Sequence, residues 1–102
     1  MVSDADLMPL VQRFAKMRAL AARAIAESPR DTRALFGAGM ASRITGDYAT
    51  ARNAYARAVE LEPENPNFLF ELAVVQEYLG NFDAAAETYA RVLKAAMQPV
   101  KA

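Results

Sequence analysis

The chain has 102 residues, and its 12 basic and 12 acidic side chains give a formal net charge of zero. Such a balance offers no electrostatic reason for binding nucleic acid or an anionic membrane surface. The chain contains neither cysteine nor histidine, so it lacks a thiolate nucleophile, a disulfide and a side chain that titrates near neutral pH, and we predict no catalytic residue, no metal site and no cofactor.

The first part of the chain predicts one long helix. It begins near Asp6, whose carboxylate can cap the open N–H groups of a first turn, and Pro9 falls in that turn, where its missing N–H costs little. The stretch Leu10–Glu27 contains no helix breaker, and Ser28-Pro29-Arg30 ends the helix. One face carries apolar residues at helical spacing, namely Phe14, Met17, Ala21 and Ala24.

A pair of shorter helices follows, and a glycine joins them. Asp31 is the predicted cap of the helix Thr32–Thr45, and Asp47 is the predicted cap of the next helix, Tyr48–Glu62. Between them, Gly46 is expected to close the first helix of the pair in the left-handed conformation.

A second pair with the same layout begins after Pro63. Asn65 followed by Pro66 is a strong helix start, because a capping side chain precedes proline at the first helical position. Gly80 ends this helix, and Pro99 limits the last one. The predicted helices are Pro66–Leu79, and Phe82–Met97 with Asn81 as its cap. The connecting loops are short, which favours antiparallel neighbours.

The two helix pairs repeat each other with a period of 34 residues. Residues 32–65 and 66–99 share seven identities, which are Leu35/Leu69, Phe36/Phe70, Gly46/Gly80, Ala51/Ala85, Tyr55/Tyr89, Ala56/Ala90 and Arg57/Arg91. Further pairs, such as Tyr48/Phe82 and Val59/Leu93, keep their chemistry. A fixed period of this length indicates stacked helical hairpins, an architecture that usually binds other molecules.

The repeat resembles the tetratricopeptide repeat, a helix–turn–helix unit of the same length. The residues that carry the resemblance are Leu35, Ala38, Gly39, Gly46, Tyr48, Ala51, Tyr55, Ala58 and Pro63 in the first unit, and Leu69, Leu72, Ala73, Gly80, Phe82, Ala85, Tyr89 and Val92 in the second. Small residues such as Gly39 are expected where two helices cross closely. The chain departs from the family pattern at the tryptophan position, which holds leucine, and at Ser42, Gln76 and Met97.

The resemblance implies an all-α fold, a short right-handed α-solenoid of antiparallel helical hairpins with about five helices. We interpret residues 1–102 as one domain with repeat units at residues 32–65 and 66–99. A further step of one period aligns Phe14 with Tyr48 and Pro29 with Pro63. The first helix, residues 6–28, is therefore either the second half of an earlier repeat or a plain capping helix.

In this family the first helices of successive units line a concave groove that binds peptides. The resemblance places there Arg33, Phe36, Met40, Arg43 and Ile44 from the first unit, and Asn67, Phe70, Val74, Glu77 and Tyr78 from the second. This stripe is more apolar than the hairpins need. Two explanations stay open. Either the first helix or a chain terminus folds over the stripe, or an apolar or amphipathic peptide of a partner binds there, with Arg33, Arg43 and Glu77 setting its orientation.

The last helix predicts an alternative, a self-assembling module whose apolar faces are buried in a homodimer or a larger homo-oligomer. The C-terminal part of that helix carries Val92, Leu93, Ala96 and Met97 as a candidate oligomer face. Stacked repeats need polar capping elements, and two units alone are marginally stable. The competing explanation is that polar neighbours such as Glu87 and Lys94 keep this end soluble.

These observations favour a protein–protein interaction adaptor without enzymatic activity, whose partner is a protein or peptide. The densest acidic group, Glu60, Glu62 and Glu64, flanks Pro63 and is interpreted as a solvated helix end. The chain has no long apolar run, and Met1-Val2-Ser3-Asp4 lacks the features of a signal peptide. We therefore expect no membrane insertion and a cytoplasmic location. The composition, rich in alanine and arginine, is compatible with a bacterial source.

Overall fold

The computed structural model describes the backbone of residues 4–98 and the side chains of residues 9–98, and its regular structure in that range is five α-helices. They are α1 (Asp4–Glu27), α2 (Thr32–Ile44), α3 (Tyr48–Leu61), α4 (Pro66–Tyr78) and α5 (Phe82–Ala96). This confirms the predicted all-α helical-repeat solenoid. The predicted limit at Pro99 lies outside the described residues. Within residues 4–98, no helix combines the length and apolar character that a membrane crossing requires.

The helices stack in chain order, so the core is spread along a line. α1 packs on α2, α2 on α3, α3 on α4 and α4 on α5. The radius of gyration is 15.4 Å, which exceeds the value of about 13 Å expected for a compact domain of about 100 residues. The largest fully buried side chains are Tyr55, Leu35, Leu69 and Val75. Because these residues lie on α2, α3 and α4, the centre of the core is where the second hairpin meets the first.

The capping side chains of α2 and α4 behave as predicted. Asp31 and Asn65 each accept hydrogen bonds from two backbone N–H groups, at 3.0 to 3.4 Å. Both residues have an extended backbone, with ψ of 105° and 109°. This conformation places the side-chain oxygen over the open N–H groups of the first turn.

The caps of α3 and α5 follow tight glycine turns and are weaker. As a cap, Asp47 accepts one backbone hydrogen bond, from the Thr50 N–H at 3.2 Å. Asn81 occupies the N-cap position of α5, but its side chain forms no capping hydrogen bond. The prediction that Asn81 caps α5 is therefore wrong. Its ψ of 67° is less extended than that of the strong caps, because its backbone N–H still belongs to the turn that closes α4.

Both glycine turns have a left-handed backbone, which confirms the closure predicted at Gly46 and the helix end predicted at Gly80. Gly46 and Gly80 have φ of 85° and 81°. After α2, the N–H groups of Gly46 and Asp47 donate to the carbonyls of Arg43 and Ser42 at 3.1 and 2.8 Å. The same pair of bonds, at 3.0 and 2.9 Å, closes α4 at Gly80. These bonds satisfy carbonyls that would otherwise lack a partner at the helix ends, and they turn the chain back into an antiparallel hairpin.

Helix α1 differs from its prediction at the N-terminus. Asp6 lies inside the helix instead of capping it, and Pro9 lies beyond the first turn. The start differs by two residues, which is the range over which helix ends commonly fray. The described side chains of α1 are at most half-buried, and Met17 on its predicted apolar face is 39% exposed. Helix α1 is thus docked more shallowly than the four helices that follow.

An ion pair ties α1 to the turn between α2 and α3. The Arg18 Nη2 donates to Asp47 Oδ2 at 2.6 Å, between residues 29 positions apart in the sequence. Hydrogen bonds from Thr50 hold the pKa of Asp47 below its usual value, and the charge of Arg18 adds to this effect. Asp47 therefore links a helix cap and a tertiary contact in one side chain.

Gly39 allows the closest helix crossing in the chain's first hairpin. A Cβ atom at this position would lie 2.7 Å from Cδ1 and Cζ of Tyr55, and the Tyr55 ring is fully buried. The ring has no empty space into which it could move, since protein cores are close-packed. This confirms the prediction that α2 and α3 cross at a small residue.

We expect Gly39→Ala to lower the free energy of unfolding by about 1–3 kcal/mol, because the added methyl overpacks against the Tyr55 ring. The matched control is Gly37→Ala on the same helix, where a Cβ would meet no atom within 4 Å. That variant should raise the free energy of unfolding by about 0.5–1 kcal/mol through helix propensity. Urea unfolding followed by circular dichroism measures both. Equal effects of the two variants would contradict the close crossing.

The lowered pKa of Asp47 predicts a loss of stability in acid. A group with a depressed folded-state pKa stabilises the fold above its unfolded pKa of about 3.9 and loses that contribution as the pH falls through the folded pKa. The wild type should therefore lose more unfolding free energy than Asp47→Asn does between neutral pH and about pH 3. Arg18→Gln should keep most of the pH dependence, because the Thr50 hydrogen bonds are the larger cause. Parallel pH profiles for the wild type and Asp47→Asn would refute this role.

Candidate interaction surfaces

Helix α4 partly covers the apolar stripe of α2. The ring centroid of Phe36 lies 5.7 Å from that of Tyr55 and 5.5 Å from that of Phe68 on α4, and Phe36 is half-buried. Further along the same helix, Met40 is 36% exposed and Ile44 is 44% exposed. Phe36 therefore belongs to the contact between the two units, and the other two residues continue the stripe to the surface.

Arg43 takes part in a polar contact among α2, α3 and α4. Its Nε lies 3.6 Å from Oε2 of Glu71 on α4, a separation too long for a hydrogen bond. The neighbouring Tyr55 hydroxyl is the main cause of the raised pKa of Arg43, and burial raises the pKa of Tyr55. Among the described residues neither Arg43 Nε nor the Tyr55 hydroxyl has a hydrogen-bond partner. Arg43 is thus engaged within the chain, beside Tyr55 and Glu71.

The corresponding residues of the second unit contact α5 or α3. Phe70 is 46% exposed, and its ring centroid lies 6.1 Å from that of Tyr89. The Tyr89 hydroxyl donates to Glu77 Oε1 at 2.9 Å, and burial together with this carboxylate raises the pKa of Tyr89. Tyr78 is 64% exposed and stacks on Tyr48 of α3 at 4.9 Å. Of the predicted groove residues in the second unit, Phe70 and Glu77 thus contact α5, whereas Tyr78 contacts α3.

A comparison of the two units shows why one of them is more exposed. Tyr55 and Val59 are 0% and 6% exposed, in a core that residues of α4 complete. One period later, their equivalents are a half-buried Tyr89 and a Leu93 that is 65% exposed. Within the described chain, the surface that α4 covers on the first unit is therefore uncovered on the second.

This uncovered surface contains a shallow pocket of about 340 Å³ between α4 and α5. We define the end surface by Phe70, Val74, Tyr78, Phe82, Tyr89 and Leu93. Phe82 and Tyr89 were not among the residues predicted for the groove. A signal for them was present in the repeat, because they are the equivalents of Tyr48 and Tyr55, which occupy the contact between the two units.

The other predicted residues lie at the edges of these contacts. Arg33 and Asn67 are exposed in the first turns of α2 and α4. On the candidate oligomer face, Val92 is half-buried against the core, whereas Ala96 is exposed and Met97 is 81% exposed. Leu93 joins this face to the end surface, so two surfaces that were predicted separately are adjacent.

A family model described as tetratricopeptide repeat matches residues 44–99, which is more than half of the chain. Among solved structures, one described as the MamA RS-1 ArsTM double mutant is similar to this chain with a TM-score of 0.79 and 22% sequence identity. The match covers 90% of this chain and 51% of that one, so the present chain spans about half of its length. At this identity the likeness concerns the fold alone. No curated protein matches the chain.

Proposed function

The chain belongs to the tetratricopeptide-repeat family, whose domains generally mediate protein–protein interactions, and we propose that it is an adaptor that binds an amphipathic helix of a partner protein. The proposed contact residues are those of the groove and its continuation on the end surface. The absence of catalytic activity, the cytoplasmic location and the bacterial source expected from the sequence belong to the same proposal.

The observation that carries the proposal is the uncovered end surface. Its counterpart on the first unit, which includes Phe36 and Tyr55, is covered by the helix α4. The chemistry of that counterpart is kept one period later, where Phe70 and Tyr89 are the same residue types. A surface of this kind has a helix as its natural occupant. Contiguous exposed apolar patches commonly mark sites of protein interaction.

The chain itself indicates the chemistry of such a helix. Helix α4 presents Phe68, Leu72 and Val75 to the first hairpin, at the spacing of one helical face. Its Glu71 lies beside Arg43, but the equivalent of Arg43 in the second unit is Glu77. A partner helix on the end surface should therefore carry a similar apolar stripe and a basic residue where α4 carries Glu71.

The remaining predicted groove residues have separate roles in this proposal. Met40 and Val74 would extend the apolar contact along α2 and α4, while exposed Arg33 would meet a carboxylate of the partner. Arg43 forms an ion pair with Glu71, and Glu77 accepts a hydrogen bond from the Tyr89 hydroxyl. Because both charges are engaged within the chain, they would set the orientation of the partner chiefly through their electrostatic fields.

The test uses a fluorescently labelled peptide of residues 66–79 with Glu71 replaced by lysine. The wild type should bind this peptide, and the double variant Phe70→Ser with Phe82→Ser should bind it at least about tenfold more weakly, since each buried aromatic ring contributes about 1.5–3 kcal/mol. Fluorescence anisotropy measures the dissociation constants, and a peptide of the same composition in scrambled order serves as the peptide control.

The matched protein control is Leu10→Ser with Leu20→Ser on α1, where the side chains are 48% and 54% exposed. This variant loses a similar amount of exposed apolar surface and should bind the peptide like the wild type. Equal weakening by both double variants, or no binding to the wild type at millimolar peptide, would reject the end surface as the binding site.

Self-assembly is the second candidate function, and the exposure of Leu93 and Met97, at 65% and 81%, favours it. In this alternative the end surfaces of two copies cover each other. Light scattering over a range of protein concentrations should then give the mass of a dimer, and Leu93→Ser with Met97→Ser should return it to that of a monomer. A monomeric mass at every concentration would eliminate this alternative and leave the end surface free for a partner.

A further inference from the structure

A cleft of about 510 Å³ separates α1 from the first hairpin. Its walls are mostly apolar, with Ala19, Ala22 and Ile25 on α1 and Leu35 and Ala38 on α2. Its volume is within the range of about 300–1,000 Å³ that small-molecule sites occupy. The end surface lies on α4 and α5, so this cleft belongs to a different part of the solenoid.

A comparison of the two units explains the cleft. Ala38 and Ser42 form part of its floor, and their equivalents one period later are Leu72 and Gln76. Leu72 is buried and belongs to the core cluster that α4 forms with α3. The first unit therefore has smaller side chains at the positions where the second unit fills the same space from within. The small side chains of Ala38 and Ser42 therefore contribute to the opening of the cleft.

The cleft is partly open to solvent, so its apolar lining is in contact with water, which is unfavourable. The described side chains of α1 are at most half-buried, which agrees with incomplete packing on this side. An apolar molecule in the cleft would remove this surface from water. Small-molecule sites are commonly clefts lined by such apolar side chains.

The charged groups of the cleft differ at its two ends. Near the turn between α2 and α3, the charge of Arg18 is balanced by Asp47 at 2.6 Å. Near the end of α1, the described partner of Arg57 is the carbonyl oxygen of Pro29 at 3.2 Å, which does not neutralise its charge. Among the described residues, no carboxylate pairs with Arg57, so the cleft has a guanidinium beside an apolar wall that suits the carboxylate of a ligand.

We propose that this cleft binds an amphipathic anion, a small molecule with an apolar body and one carboxylate group. The body lies against Ala19, Ala22, Ile25 and Ala38, and the carboxylate accepts hydrogen bonds from Arg57. The span from Ala15 to Ile25 along α1 corresponds to about 15 Å of helix, which accommodates an extended aliphatic chain of medium length.

The first experiment titrates decanoate, below its micellar concentration, into the full chain by isothermal calorimetry. The wild type should bind decanoate at a single site, and Ala38→Leu with Ser42→Gln, which copies the filled second unit, should abolish binding. Circular dichroism and thermal unfolding verify that this variant folds. A folded variant that binds decanoate like the wild type, or a wild type that shows no binding at millimolar decanoate, would overturn the proposal.

The second experiment tests the carboxylate contact with a matched pair of arginines. Arg91 repeats the bond of Arg57, since it donates to the carbonyl of Pro63 at 3.3 Å across the same 28 residues, but it does not line the cleft. Arg57→Gln should weaken decanoate binding about tenfold, which corresponds to the loss of one charge-assisted hydrogen bond, and Arg91→Gln should leave it unchanged. Equal effects of the two variants, or equally tight binding of 1-decanol, would overturn the assignment of an anionic ligand.

The third experiment separates this inference from the proposed function. The variant Ala38→Leu with Ser42→Gln should bind the labelled peptide of the end surface like the wild type, because the two sites share no residue. Decanoate binding that persists in Phe70→Ser with Phe82→Ser would likewise support an independent cleft. If the end-surface substitutions abolished decanoate binding in a folded protein, decanoate would be bound at the wrong site and the proposal would fail.

Discussion

The close approach of α2 and α3 at Gly39 is the constraint on which the rest of this structure depends. Without a side chain at this position, the Tyr55 ring lies directly across α2 and becomes fully buried. From there the ring contacts Phe36, and its hydroxyl lies beside Arg43. Both of these residues also contact α4, through Phe68 and Glu71. One glycine thus positions the ring on which the second hairpin is built, and packing along the solenoid follows from it.

In a stacked repeat, the apolar face of each unit is buried by the next unit. Identical residues in successive units can therefore have different environments. Phe36 and Phe70 are equivalent, yet the first is half-buried against Phe68 and the second is 46% exposed. The apolar stripe exceeds what the packing within one hairpin needs, but it is required for the contact between the two hairpins. Only its last copy is uncovered within the described chain, and the composition of that copy is inherited from its structural role. The end surface is therefore chemically suited to contact with a helix. Its residues are explained by the repeat, and none of them is specific to the binding of a partner.

The fold was predictable from local patterns because each repeat unit has its own start and stop signals. The caps at Asp31 and Asn65, the left-handed Gly46 and the helix end at Gly80 were all predicted correctly. Asn81 and Asp6 were predicted wrongly, because residue type alone does not say whether the backbone is extended enough to cap or where a helix begins. The candidate site was less predictable for a similar reason. Whether Phe36 or Phe70 is covered depends on a neighbour about one repeat away, and the Arg18–Asp47 ion pair joins residues 29 positions apart. Helical periodicity within one element does not reveal which residues of a distant helix will cover it.

The repeat also offers an internal standard against which unusual positions can be recognised. Arg57 and Arg91 make the same bond to the carbonyl of a preceding proline, at 3.2 and 3.3 Å, so that bond is part of the common architecture. Ala38 and Leu72 are equivalent in position but not in size, and the smaller residue lies where a cleft opens. A residue that both units share is explained by the fold. A difference at a buried position needs a separate reason. At the position of Ala38, a leucine is structurally feasible, since Leu72 occupies the equivalent position in the same chain. This contrast makes the cleft beside α1 a place where the chain departs from what its own repeat requires.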